Sequence, residues 1–292
     1  MPFPRRRLRW VGSAVLLVAA LGFGACWIAG TESASPAPKR IGAPPADLPL
    51  EAITIPSGSG SRLAAWFIPG EPHQGAVLLL HGIRANRLEM LGRARFFHGL
   101  GLAVLLFDFQ AHGESPGDYI SFGWLEAKDA RAAFDFLRRK AAGEKVGVDG
   151  LSLGGASAVL ADPPLEADAM VLEAVFGSFD MAVGNRMAVR FGPIGRYLVP
   201  LLTWQVRPRL GFDPAVLAPA ARIDRVHAPL LLIAGDADQL ASLDEARLLY
   251  ANATAPKELW IVPGAHHQDF HRYAREEFER RVGEFFKARL RQ

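Results

Sequence analysis

Residues 145–155 read KVGVDGLSLGG, a short β-branched run leading into Gly150-Leu151-Ser152-Leu153-Gly154. The pattern predicts a strand, a sharp turn at Ser152 and a helix that starts at Leu153. Glycines flank the serine because such a turn brings neighbouring backbones close together, where side chains would clash. The turn pushes the serine Oγ clear of the sheet edge. The first N–H groups of the following helix then point towards charge developing beside it. Taken alone, the same string also describes a glycine-rich turn whose serine only caps a helix.

Outward from this point the chain alternates. Leu63–Phe67, Val77–Leu80, Val104–Phe107, Met170–Leu172, Leu230–Ile233 and Leu259–Val262 are short apolar runs of the kind that form strands buried on both faces. Between them lie amphipathic stretches. Over Leu125–Arg139, Leu125, Ala132, Ala133, Phe136 and Leu137 share one face, and over Phe270–Leu290 the stripe is Phe278, Val282, Phe285 and Phe286. The alternation predicts an α/β fold, a doubly wound, mostly parallel sheet with helices on both faces. Ligand sites in such sheets lie beyond the carboxyl ends of the strands. There the sequence has Asp236-Ala237-Asp238 after one run and Ala265-His266-His267 after the next. A serine hydroxyl needs an adjacent base, and the base needs an orienting acid. Serine, acid and histidine occur here in that chain order.

These motifs resemble the α/β-hydrolase superfamily over nearly all of residues 50–290. Leu80-His81-Gly82 resembles its strand–HG turn, and residues 108–115 (DFQAHGES) resemble its D-x-x-G-H-G-x-S segment, with Ala111 where a glycine is usual. Gly235–Asp238 resembles the acid turn, and residues 263–267 (PGAHH) resemble the P-G-A-G-H turn, with His266 in the glycine position. Within the superfamily the chain is most similar to the single-span ABHD and BEM46-like group. The resemblance implies Ser152 as nucleophile, Asp238 as acid, His267 as base, and the N–H groups of Ile83 and Leu153 as an oxyanion hole. His266 stands as an alternative base, and Asp236 and Glu173 as alternative acids. His81 and His112 read as structural, packing or bracing turns. The histidines lack H-E-x-x-H or a comparable ligand spacing, so no metal is expected, and the chemistry needs no cofactor.

Residues 177–222 interrupt the alternation with Met181, Met187, Phe191, Tyr197, Leu198, Leu201, Leu202 and Trp204, mixed with Arg186, Arg190, Arg196, Arg207 and Arg209. We expect this insertion to cap the site and shape an apolar acyl pocket; two helices completing the core are the plainer reading. The expected function is hydrolysis of a carboxylic ester, thioester or related acyl bond through an acyl-enzyme, as in carboxylesterases and lipases, with a small-molecule or lipid-like acyl substrate. A peptidase or amidase using the same three residues is the alternative within the enzyme class. Outside that class, the alternative is a membrane-tethered binding protein that kept the fold without catalysis. An aspartate nucleophile, which haloalkane and epoxide chemistry wants on this fold, is replaced by Ser152.

The N-terminus reads differently. Residues 10–29 (WVGSAVLLVAALGFGACWIA) carry no charge, a length suited to a helix crossing a bilayer. Arg5, Arg6, Arg7 and Arg9 precede it, and the positive-inside rule keeps such a flank cytoplasmic. The expected organisation is a basic cytoplasmic flank over 1–9, a transmembrane signal-anchor over 10–29, a Pro/Ala-rich extended spacer over 30–49 and a hydrolase domain over 50–292. Localisation would be single-pass, with the catalytic domain outside the cytoplasm. A cleaved signal, or lipidation at Cys26, is the alternative. Cys26 is the single cysteine, so no internal disulfide can form. Residues 1–40 hold six basic side chains against Glu32, whereas the whole chain nets +3. The remainder is therefore slightly acidic, and no nucleic-acid footprint is indicated. Oligomeric state is not legible.

Overall fold

A computed structural model describes the backbone of residues 5–292, with side chains at Ser13, Leu16, Leu17 and 20–292. Eight strands form the central sheet: β1 (Glu51–Pro56), β2 (Arg62–Ile68), β3 (Ala76–Leu80), β4 (Ala103–Phe107), β5 (Val146–Leu151), β6 (Ala169–Glu173), β7 (Leu230–Gly235) and β8 (Lys257–Val262). Their spatial order is β8-β7-β6-β5-β3-β4-β2-β1. β2 runs antiparallel to both of its neighbours, and every other pairing is parallel. The fold is therefore the doubly wound, mostly parallel α/β sheet expected from the alternation of runs. Every residue of β3, β4, β5, β6 and β7 is buried, which is why these strands read as mostly apolar runs, with Asp149 inside β5 and Glu173 ending β6 as the acidic exceptions. β1 was missed: Glu51, Ala52, Thr54 and Pro56 are exposed on this edge strand, which leaves no apolar run to detect.

Helices cover both faces: α1 (Arg5–Ala34), α2 (Leu91–Gly99), α3 (Trp124–Lys140), α4 (Leu153–Leu160), α5 (Phe179–Phe191), α6 (Val199–Thr203), α7 (Val206–Leu210), α8 (Leu243–Asn252), α9 (Phe270–Tyr273) and α10 (Arg275–Leu290). The expected helix over 270–290 is broken at Ala274, whose ψ of 53° leaves the helical region. The chain passes from β3 to β4 on one side and to β5 on the other. The carboxyl ends of β3 and β5 thus flank the point where the winding reverses, the place such sheets offer to a ligand.

Among the described residues, no helix is long and apolar enough to cross a membrane. This overturns the transmembrane anchor expected over 10–29, together with the single-pass location and the membrane as a partner. Residues 1–4 of the expected basic flank lie outside the described residues. In the later part of α1 some side chains meet the rest of the protein, while Leu21 and Ile28 stay exposed. Phe23 packs on Trp204 at 5.9 Å between ring centroids, and the Arg209 guanidinium lies 3.8 Å above the Trp27 ring. Gln205 Nε2 donates to the Cys26 carbonyl at 3.1 Å, and Arg209 donates to Thr31 Oγ1 at 2.5 Å. The segment after α1 is also held: Ala37-Pro38 pairs in parallel with His112-Gly113, and the Ile41 N–H donates to Glu114 at 3.0 Å.

One buried acid gives the fold a pH signature. Asp129, on α3, is fully buried. It accepts from Ser57 Oγ at 2.5 Å and from the Gln110 N–H at 2.9 Å. Desolvation outweighs these bonds and pushes its carboxyl up to about 7. The folded state therefore binds this proton more tightly than the unfolded chain. The resulting stabilisation is complete below the ordinary carboxylate range and is lost as pH rises to 7. We expect Asp129→Asn, which mimics the neutral acid, to gain about 2–4 kcal/mol relative to wild type between pH 4 and pH 7. Urea unfolding at the two pH values checks this; parallel losses in both proteins would mean the proton is not held there.

Candidate active site

Ser152 stands between β5 and α4 with φ of +51° and ψ of −111°, a conformation that costs an ordinary residue about 1–3 kcal/mol. Its surroundings hold it there. The Ser152 N–H donates to the Glu173 carbonyl at the end of β6 at 2.7 Å. A Cβ at Gly154 would meet the Leu80 carbonyl, and one at Gly150 would lie 2.6 Å from the Gly155 nitrogen. No other residue fits either glycine while the turn stays this tight.

Asp238 follows β7 and His267 follows β8, and parallel pairing of the two strands brings both loops to one edge. His267 Nδ1 lies 2.8 Å from Asp238 Oδ2, and His267 Nε2 lies 3.1 Å from Ser152 Oγ. A carboxylate can only accept, so Nδ1 carries the proton and Nε2 presents its lone pair to the serine hydroxyl. Asp238 is fixed by two further donors, the N–H groups of Leu240 at 2.7 Å and Ala241 at 2.9 Å. The other candidates fall elsewhere. His266 is exposed. Asp236 is also exposed and accepts from the Gly264 N–H at 2.6 Å, joining the two loops. Glu173 is fully buried and bound to Arg93.

Ile83 and Leu153 border the same cavity as Ser152. Leu153 opens α4, so its N–H has no carbonyl one turn back to bond. The loop that carries Ile83 is pinned from both sides. His81 Nε2 accepts from the Phe109 N–H at 3.0 Å, so its Nδ1–H donates to the Gly82 carbonyl at 2.7 Å. The Gly82 N–H in turn donates to Glu89 at 2.7 Å. Burial and the nearby His112 ring drive His81 down to about 3, so it stays neutral and keeps this tautomer.

Below the site is a group that the sequence did not disclose. The fully buried Arg93, on α2, donates to Glu173 at 2.7 Å, lies 2.8 Å from Asp269 and is 3.5 Å from Asp149. Burial and the nearby Glu173 raise Asp149 well above the usual carboxylate range. The cluster ties β5, β6 and the loop after His267 together beneath the reacting groups. In sequence its one signal is an acid inside the β5 run, which needs a buried partner.

The cavity over Ser152 measures about 580 Å³. Its walls include Phe176, Phe179, Val183, Met187 and Leu202, mostly from the 177–222 stretch, with Ala25, Ala29 and Gly30 of α1 opposite. Arg186 also borders it, donating to the Ala182 carbonyl at 3.2 Å. Desolvation lowers its pKa although Asp238 and Glu245 lie near enough to oppose this.

No family model matches the chain. It is 32% identical over 246 residues to the uncharacterized protein Rv2307c of Mycobacterium tuberculosis, across 81% of this chain and 78% of that one. Among solved structures, the esterase Pf2001 of Pyrococcus furiosus superposes with a TM-score of 0.69 at 25% identity, covering 87% of this chain and 97% of that chain. The chain belongs to the α/β-hydrolase superfamily. A second member of that superfamily, the hydrolase GrgF from Penicillium, superposes with a TM-score of 0.64 over 83% of this chain and 99% of that chain, at 18% identity. At that identity it speaks for the fold alone. This α/β-hydrolase thus carries the resemblance of its turns through to the arrangement of the whole sheet.

Proposed function

We propose that the protein is a serine hydrolase that cleaves a carboxylic ester or thioester through an acyl-enzyme. The observation that carries this is the strained Ser152 with its hydroxyl facing His267 Nε2 while His267 is oriented by Asp238. A merely capping serine has no use for a conformation that costs free energy, nor for an oriented base. The likeness to the Pyrococcus esterase supports the same reading.

Ser152 Oγ attacks the carbonyl carbon and His267 takes its proton. The carbonyl oxygen, now an oxyanion, is held by the N–H groups of Ile83 and Leu153. His267, paired with Asp238, returns the proton to the leaving group, and the carbon–oxygen or carbon–sulfur bond breaks. Water, deprotonated by His267, then cleaves the acyl-enzyme and frees the acid and Ser152. The 177–222 stretch serves as the cap in this reading. The narrower ABHD/BEM46-like affinity rests on the turn motifs and is retained without a span.

Fluorophosphonate labelling of the full chain, with the modified peptide located by mass spectrometry, tests the reading. Modification at Ser152 is expected, slowed at least 100-fold in His267→Ala. Failure of the folded protein to label, or labelling that ignores His267, would remove the proposal. Paired ester and amide substrates are expected to favour the ester; faster amide turnover would make it an amidase.

A further inference from the structure

We infer that the N-terminal helix is part of the substrate site: Ala25, Cys26, Ala29, Gly30, Ser33 and Ala34 of α1 wall the cavity that receives the acyl chain, and α1 thereby sets acyl-length selectivity. This rests on the acyl-transfer reading above and goes beyond it by naming the segment and the substrate class, an ester of a long aliphatic acid.

The first observation is which atoms border the cavity. Ala25, Cys26, Ala29, Gly30 and Ser33 line it on one side, and Ile83, Ser152 and Leu153 lie on its floor. Cys26, Ala29, Gly30 and Ser33 are spaced three or four apart, so one face of the helix meets the cavity. All are small. That leaves a channel between α1 and the 177–222 helices where bulkier residues would close it. The opposite face carries Ile28, exposed to 60%.

The second observation concerns which part of the substrate enters. The leaving group must reach His267 Nε2 to be protonated, so it lies on the histidine side of Ser152. The cavity is bordered by Ser152 and by both proposed oxyanion donors but not by His267. The acyl chain is the part left to occupy it. A volume of about 580 Å³ with mostly aliphatic and aromatic walls far exceeds what an acetyl group fills, and it favours a chain that buries many methylenes, at about 0.8 kcal/mol each.

Third, α1 is held in register where it meets the cavity. Gln205 and Arg209, which also border the cavity, bind the backbone carbonyls of Cys26 and Trp27. Arg84 donates to the carbonyls of Glu32 at 3.3 Å and Ser35 at 3.2 Å, and the Ile120 N–H donates to that of Ala34 at 2.8 Å. These bonds go to main chain and the ring contacts to Phe23 and Trp27, so the small side chains that face the cavity are not needed to hold the helix and are free to serve the cavity.

The test compares kcat/KM for nitrophenyl decanoate with that for nitrophenyl acetate in the full chain. Ala29→Trp and Cys26→Phe, which fill the channel from two positions, are each expected to lower the decanoate-to-acetate ratio at least tenfold. Ile28→Trp, on the outward face, is expected to leave it unchanged. Thermal unfolding accompanies each assay, and the less bulky Ala29→Leu, with a smaller shift in the same direction, stands in should the tryptophan variant not fold. A ratio that stays constant in the filled variants, or shifts equally in Ile28→Trp, would overturn the inference while leaving Ser152 labelling intact. Absence of labelling in wild type would instead overturn the reading on which it rests.

Discussion

Ser152→Ala is expected to lower ester turnover by about 10⁴–10⁶-fold, the loss seen when an activated nucleophile that works as a unit with its base is removed. The variant keeps Ile83, Leu153 and the cavity, so a residue of roughly 10³-fold catalysis over water is expected to survive through oxyanion binding and substrate capture. Steady-state kinetics on an activated ester would check both figures; activity above about 1% of wild type would show that the reaction bypasses Ser152. The strained turn adds a thermodynamic readout. Alanine retains the Cβ that disfavours a φ of +51°, whereas glycine does not. Ser152→Gly is therefore expected to be about 1 kcal/mol more stable than Ser152→Ala, seen as a higher unfolding midpoint in urea. Catalytic loss would then be common to both variants, and only the glycine would relax the turn.

The largest effect on stability is expected at Arg93. Methionine at this position would keep much of the packing against Phe278, whose ring lies 5.1 Å from the guanidinium, but would leave Glu173 buried and without a cation. Removing one partner of a buried pair costs about 3–5 kcal/mol, a large part of the 5–15 kcal/mol typical of a domain. Urea unfolding of Arg93→Met measures it. In the double variant Arg93→Met with Glu173→Gln the uncompensated charge is gone, so part of the loss is expected to return. A double variant as unstable as the sum of its single changes would mean that Arg93 acts through packing alone. Because Glu173 accepts the Ser152 N–H through its carbonyl, the single variant is also expected to lose turnover under conditions where it is still folded.

Much of this arrangement could be read before any coordinates. Strands buried on both faces are dominated by apolar residues, which made β3 to β7 visible. β2 and the edge strand β8 kept enough of an apolar run to be seen, and the edge strand β1 escaped because its outward side chains break the pattern. A turn as tight as the one at Ser152 admits only glycine at Gly150 and Gly154, so it leaves a mark on the sequence. Asp238 and His267 were legible because parallel strands deliver their following residues to one edge. The choice of His267 over His266 came from the resemblance of the turn and not from residue type: adjacent residues leave a loop in different directions, and backbone geometry decides which ring reaches Ser152.

Two features lay beyond local reading for a common reason. An uncharged run over 10–29 does not say which distant segments its helix will meet: Phe23, Cys26 and Trp27 find partners, while Leu16, Leu17 and Leu21 stay exposed. The contacts of Phe23, Cys26 and Trp27 with Trp204, Gln205 and Arg209 span more than 170 residues of chain. Arg93 on a helix reads as a solvent-facing charge until Glu173, 80 residues away, arrives beside it. Residue type and short-range spacing carry the chemistry of the turns and the buried strands, because each of those demands is met within a few residues. Which surface covers a helix, and which charge neutralises a buried partner, are relations between distant segments, and they exist only once the chain has folded.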